Sequence, residues 1–205
     1  MTALAKTIET LLENKKYSSL RDVLSSMNEA DIAAMFSEVS SDSLPLLFRL
    51  LPKDLAADTF ALMDTDEQEL LIRGFSDNEI KEVFDELYVD DAADIVEEMP
   101  ANVVKRILKN TEPDMRQMIN EILKYPEDSA GSVMNVDYIA LRREMTVADS
   151  ILKIRQVGLN RETIYTCYVT ERRRLIGIVT AKDLLIAEDD TLIKDLMETE
   201  IISVN

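Results

Sequence analysis

The sequence predicts two domains of different class: an all-helical, superhelical (solenoid-like) domain over residues 1–130, then a smaller α/β region with the order β-α-β-β-α. Three observations predict it. Apolar residues recur at three- and four-residue steps throughout the first 130 residues. An acidic motif returns there at a spacing of 23 residues. Past Tyr125 the pattern changes to one of short apolar runs and turns.

Helical period is clearest in Ala92, Ile95, Val96 and Met99, which fall on one face. Thr65 with Gln68 and Ser76 with Glu79 fit a capping box, whose side chains satisfy amides left open at a helix N-terminus. Pro52, Pro100 and Pro113 are expected in first turns, where a missing N–H would be unpaired anyway. Asp31-Ile32-Ala33-Ala34 returns 23 residues later as Asp54-Leu55-Ala56-Ala57, and the same step leads on to Asp77; Asp91 leads likewise to Asp114. Short helices at a repeated spacing cannot bury a face alone, so they are expected to stack as a small right-handed superhelix.

The stretch Tyr125-Pro126-Glu127-Asp128-Ser129-Ala130-Gly131 joins proline, polar residues and glycine, and reads as a linker. After it come an apolar run from Tyr138 to Leu141 and a helix opened by Thr146 with Asp149. Two β-rich runs, Ile164 to Val169 and Leu175 to Val179, flank a charged turn at Glu171 to Arg173. Thr180 caps a helix running through Leu184, and Ile201 to Val204 is expected to begin another strand.

Charge is distributed unevenly. Residues 1–130 carry 28 acids against 13 bases, whereas residues 131–205 carry 12 against 10. Between Asp54 and Glu98 lie 16 acids, with only Arg73 and Lys81 as bases. Such a surface repels nucleic acid and anionic lipid and attracts cations. The single Cys167 lies in an apolar run and is read as a core residue, and the absence of His excludes a Ser-His-Asp triad and His-containing zinc or haem sites. No enzyme is expected. The N-terminus lacks a signal peptide, and the apolar stretches fall short of the roughly 20 residues that span a bilayer.

The order of the second region carries a resemblance. Residues 134–186, ending in Leu175-Ile176-Gly177-Ile178-Val179-Thr180-Ala181-Lys182-Asp183-Leu184, resemble a CBS (cystathionine β-synthase-type) motif. Together with the acidic helical region, the linker from Tyr125 to Gly131 and Glu162-Thr163-Ile164-Tyr165, the chain is similar to the MgtE family of magnesium transporters. The resemblance implies an N domain at 1–130, a first CBS motif at 131–196 and the start of a truncated second one at 197–205, hence a partial CBS domain. A piece of a longer chain is expected rather than a soluble paralogue. In the parent, the resemblance implies a homodimer joined through its CBS domains, attached to its own transmembrane domain at the cytoplasmic face of the cell membrane.

Acids at i, i+4 share a helix face, as Asp90 and Asp94 do, and Asp54 and Asp58; their mutual repulsion would become attraction around a shared cation. The plainer reading of Asp90 is a cap for a helix from Asp91 to Met99. The resemblance implies magnesium (Mg2+) ligation by Asp58, Asp90 and Asp94 with the Gly131 carbonyl, the remaining ligands lying outside this chain. It also implies an adenine nucleotide such as ATP at Tyr165, Lys182 and Asp183, although Thr180 and Asp183 also fit an ordinary helix cap. Arg172, Arg173 and Arg174 read as a solvated hairpin turn. The function expected is magnesium sensing that closes a pore; the alternative is a soluble CBS-type adenine-nucleotide sensor carrying a helical protein-interaction domain.

Overall fold

Among the described residues ten helices precede the first strand: α1 (Ala3–Glu13), α2 (Tyr17–Leu24), α3 (Glu29–Phe36), α4 (Leu44–Phe48), α5 (Lys53–Ala61), α6 (Thr65–Gly74), α7 (Asp77–Phe84), α8 (Val89–Glu98), α9 (Ala101–Asn110) and α10 (Pro113–Ile122). The computed structural model describes residues 2–126, 129–158, 161 and 163–203, with the side chains of residues 3 and 54 outside the description. The sequence features at Glu127, Asp128, Glu162 and Val204, and the side chain of Asp54, therefore lie outside the described residues. The chain divides into two compact units, Met1–Ser132 and Val133–Asn205.

In the first unit helices pack on the helix two places along: α1 on α3, α3 on α5, α5 on α7, α7 on α9, and likewise α4 on α6 and α8 on α10. This is the stacking that a repeat of short helices requires. Four acids of the 23-residue repeat stand in first turns, where a negative charge complements the helix dipole: Asp31 in α3, Asp77 in α7, Asp91 in α8 and Asp114 in α10. The core is held by an aromatic hub. Phe60 is fully buried and its ring lies 5.9 Å from Phe48, 6.4 Å from Phe75 and 6.3 Å from Phe84.

Ser76 and Glu79 form the expected capping box at α7: Glu79 N donates to Ser76 Oγ at 3.2 Å, and Ser76 N to the Glu79 carboxylate at 2.7 Å. Thr65 and Gln68 do not. Thr65 is already the first residue of α6, and its hydroxyl donates to the Glu98 carboxylate. Gln68 turns inward and donates from Nε2 to Phe60 O at 2.8 Å, adding a side-chain donor to a carbonyl at the end of α5 that also accepts from Met63 N at 3.3 Å. Pro113 opens α10 as expected, but Pro52 and Pro100 occupy the cap positions before α5 and α9, with extended ψ of 153° and 143°.

Several bases of this unit are engaged around α7. Arg49 pairs with Glu79 at 2.6 Å, Lys81 bridges Asp85 and Glu112, and Arg106 lies 3.2 Å from Asp77 while donating to Ile72 O and Phe75 O. The hydrogen bond from Arg49 and those from Ser76 hold the Glu79 carboxyl at about 2, below its ordinary 4.5. A carboxylate depressed in this way adds stability above its unfolded pKa and loses it as pH falls through the folded value. Glu79→Gln is therefore expected to lower unfolding free energy by about 1 kcal/mol at pH 7. Urea melts should show the deficit shrinking as the pH falls from 4.5 toward 2.

The second unit contains β1 (Ile139–Leu141), α11 (Val147–Val157), β2 (Thr166–Glu171), β3 (Arg174–Thr180), α12 (Ala181–Ile186) and α13 (Ile193–Leu196). β2 is central, parallel to β1 and antiparallel to β3. Capping boxes at Thr146 with Asp149 and Thr180 with Asp183 start α11 and α12 where the sequence placed them. β2 begins two residues later than its apolar run: Thr166 is the first to pair with β3, whereas the carbonyl of Tyr165 accepts from Ala181 N at 2.8 Å. Cys167 is fully buried among Ile139, Leu141, Val169 and Val179, and burial pushes its thiol up to about 11, so it is the core residue expected.

Ile201 to Ser203 form no strand. The chain pairs with β3 earlier, through Ile178 and Glu198, with bonds of 3.0 and 2.9 Å. Gly177 permits that crossing, since a Cβ there would stand 2.8 Å from Glu198 O. No helix among the described residues is long and apolar enough to cross a membrane.

Candidate functional site

α8, Val-Asp-Asp-Ala-Ala-Asp-Ile-Val-Glu-Glu, buries Val89, Ala92, Ala93, Ile95 and Val96 and turns its acids outward. The apolar spacing fixes this orientation. The helix starts before Asp90, with Tyr88 at the cap, so Asp90 lies inside the first turn and does not cap a helix from Asp91. Asp90 is half-buried, and its Oδ1 is enclosed without a hydrogen-bond partner. That is a costly state for a carboxylate oxygen. One turn later Asp94 is exposed, yet partial desolvation, and then the charges of Asp90, Glu97 and Glu98, raise its carboxyl above the ordinary 3.8. No ion pair among the described residues involves Asp90, Asp94, Glu97 or Glu98, in contrast to the engaged acids around α7.

A cleft of about 350 Å³ runs between α8 and the start of α6. Asp64, Thr65, Asp91, Asp94 and Glu98 wall it, over Met63 and Ile95, and no Lys or Arg lines it. Asp64, Asp91 and Glu98 were not singled out from the sequence. Asp91 and Glu98 share a signal, a helix holding five acids and no base; Asp64 instead stands at the cap of α6. Asp64 also borders a groove of about 220 Å³ with Glu67, whose Oε2 is enclosed without a partner and whose carboxyl is raised by burial and then by Asp64 and Asp66.

The other candidates are dispersed. Asp58 is exposed on α5, which packs on α8, but it does not line the cleft. Gly131 stands in the turn after α10, where a Cβ would come 2.2 Å from the Tyr125 ring; glycine is needed there for that close approach. Among the described residues no three Asp, Glu or Cys side chains are arranged to hold one metal ion. The donor set nevertheless fits magnesium, which takes oxygen ligands, keeps several waters and often uses only one or two carboxylates. Asp90, with its orphaned oxygen, and Asp94 can supply those.

In the second unit Tyr165, Lys182 and Asp183 do come together at the start of α12. The exposed Tyr165 accepts from Ala181 N through its carbonyl, and Lys182 is exposed beside it. Asp183 Oδ2 accepts from Thr180 N at 3.1 Å and from its hydroxyl, bonds that lower its pKa and keep it charged. The capping role and a role toward a ligand are compatible, because the cap engages only Oδ2.

The family model of the MgtE intracellular N domain matches residues 27–128, and that of the CBS domain residues 130–190. The chain is 29% identical over 206 residues to the magnesium transporter MgtE of Thermus thermophilus, covering 98% of this chain and 46% of that protein. It is 25% identical to the MgtE of Bacillus subtilis, covering 94% of this chain and 43% of the other. It thus spans less than half the length of these two transporters. The crystal structure of the cytosolic domain of the Mg2+ channel MgtE in complex with ATP superposes with a TM-score of 0.90 at 28% identity, covering 98% of this chain and 82% of that one. The soluble part of a magnesium transporter gives 0.86 at 21% identity, covering 97% and 79%, which speaks for the fold alone.

Proposed function

Because the chain belongs to the MgtE family of magnesium transporters, joining that family's intracellular N domain to a CBS domain, we propose that it is a magnesium-sensing regulatory region. The observation that carries this reading is the base-free face of α8, where Asp90 keeps an unpartnered carboxylate oxygen one turn from a charge-crowded Asp94. A bound divalent cation would supply charge neutralisation and oriented waters. Asp90 and Asp94, with Asp58, hold the N domain's share of the ligands; the Gly131 carbonyl joins them at the domain limit, and the rest come from the CBS region and from parts of the protein beyond these 205 residues.

The domain limits that go with this reading are 1–130, 131–196 and 197–205. At low magnesium the α8 acids repel acidic neighbours and the open arrangement is favoured. At high magnesium the closed arrangement is populated because it binds the ions more tightly. Swinging such an equilibrium from 1:99 to 99:1 requires about 5.5 kcal/mol of differential binding, more than one weakly held ion gives, so several shared ions are expected. The region works within a homodimer joined through CBS domains, on the cytoplasmic side of its own transmembrane domain, and performs no covalent chemistry. An adenine nucleotide is a second ligand, held by Tyr165, Lys182 and Asp183; the relative solved with ATP supports this reading.

Small-angle scattering of the complete cytosolic region, in chelator and in excess magnesium at constant ionic strength, tests the reading. Compaction with magnesium is expected. Identical curves would sink it, and ATP binding without any magnesium response would favour a nucleotide sensor instead.

A further inference from the structure

We propose that a basic corner of the second unit docks on anionic membrane surfaces by pairing with lipid phosphates. β2 and β3 are joined by the two-residue turn Arg172-Arg173, at φ 48° and 66°. Both values are left-handed, the pattern of a turn that Asn-Gly or Gly-Gly fills most cheaply. Arginine carries a Cβ into a region that disfavours it. Both side chains are exposed, as is that of the following Arg174, so packing returns nothing for the strain. A bare solvated turn has no need of this choice.

A second turn enlarges the patch. Arg143 Nη1 lies 3.7 Å from Glu171 Oε1, and Lys194 N donates to Arg143 O at 3.0 Å. Arg142, Arg143 and Lys194 therefore flank the hairpin. Six of the ten bases in residues 133–205 collect at this corner, against Glu144, Glu171 and Asp195. It is a positive island on a chain of net charge −17.

Guanidinium groups match phosphate oxygens in a two-pronged geometry, and several on exposed turns suit a broad anionic surface. The proposal rests on the reading above for one premise, that this chain is joined to a transmembrane domain and so lies beside a bilayer. The overall negative charge opposes docking, but screening over about 8 Å at physiological salt leaves an exposed turn governed by its own charges. The proposal is independent of magnesium bridging, and its test is run in chelator so that the two stand or fall separately.

The test is co-sedimentation of the 205-residue chain with phosphatidylcholine vesicles, with and without phosphatidylglycerol. Partition into the anionic vesicles alone is expected, falling as salt rises. The variant R172N/R173G gives the turn residues it prefers, so its fold should be retained by circular dichroism while its partition coefficient falls about thirtyfold. Arg155→Gln, exposed on α11 away from the corner, should change partition little. Equal partition into both vesicles, no response to R172N/R173G, or an equal fall with Arg155→Gln would overturn the proposal. So would saturable binding of inorganic phosphate beside Arg173, in the cleft it forms with Tyr138 and Tyr168, without vesicle binding.

Discussion

Phe60→Ala is expected to remove a large share of the stability of the first unit. Phe60 is fully buried and its ring meets those of Phe48, Phe75 and Phe84, which belong to α4, to the end of α6 and to α7. Truncation would remove the transfer free energy of the ring and leave a cavity between helices too short to close over it, about 4 kcal/mol together. Domains of this size are stable by about 5–15 kcal/mol, so roughly a quarter to four-fifths of the total would be lost. Thermal unfolding followed at 222 nm should shift down by roughly 15 °C. A loss below about 1 kcal/mol would mean that the helices are held by something other than this hub.

The helical stack was legible because its signals are local. Ser76 with Glu79, Thr146 with Asp149 and Thr180 with Asp183 each need only a turn of chain to satisfy one another, and all three form. Thr65 with Gln68 shows the same letters and fails, because a carbonyl of the preceding helix competes for the Gln68 amide. A second period runs beside the acidic one. Phe36, Phe60 and Phe84 recur every 24 residues at helix ends, all three almost fully buried. The acids mark where helices begin; the phenylalanines mark where they end in the core.

The candidate sites divide in the same way. Asp90 and Asp94 could be chosen from an i, i+4 spacing, and the structure sets them one turn apart on the same helix, Asp90 half-buried and Asp94 exposed. The walls supplied by Asp64 and Thr65 could not, because they reach α8 only after α6 has packed. Arg172 and Arg173 were legible as charge but not as strain, since the sign of φ depends on the two-residue connection that the β2–β3 register imposes.

The variant D90N/D94N should move stability in opposite directions in chelator and in magnesium. In chelator at pH 7 it is expected to be more stable than the parent by about 0.2–0.5 kcal/mol, because a like-charge pair on one helical face is removed. The pH dependence follows from the raised carboxyl of Asp94. A pKa higher in the fold than in the unfolded chain costs stability as pH rises from the unfolded value, here 3.8, through the folded one. The variant lacks that cost, so its advantage should be complete at neutral pH and vanish below about pH 4. In the complete cytosolic region, a magnesium concentration a hundred times the dissociation constant should stabilise the parent by about 2.7 kcal/mol and the variant hardly at all. Urea melts of both proteins at fixed ionic strength read the two halves separately. A variant that gained as much from magnesium as its parent would remove Asp90 and Asp94 from the ligand set, even if the chelator result came out as expected. Equal stability in chelator would mean that the crowding on α8 is already relieved by solvent, and with it would go the electrostatic reason for a cation to bind there.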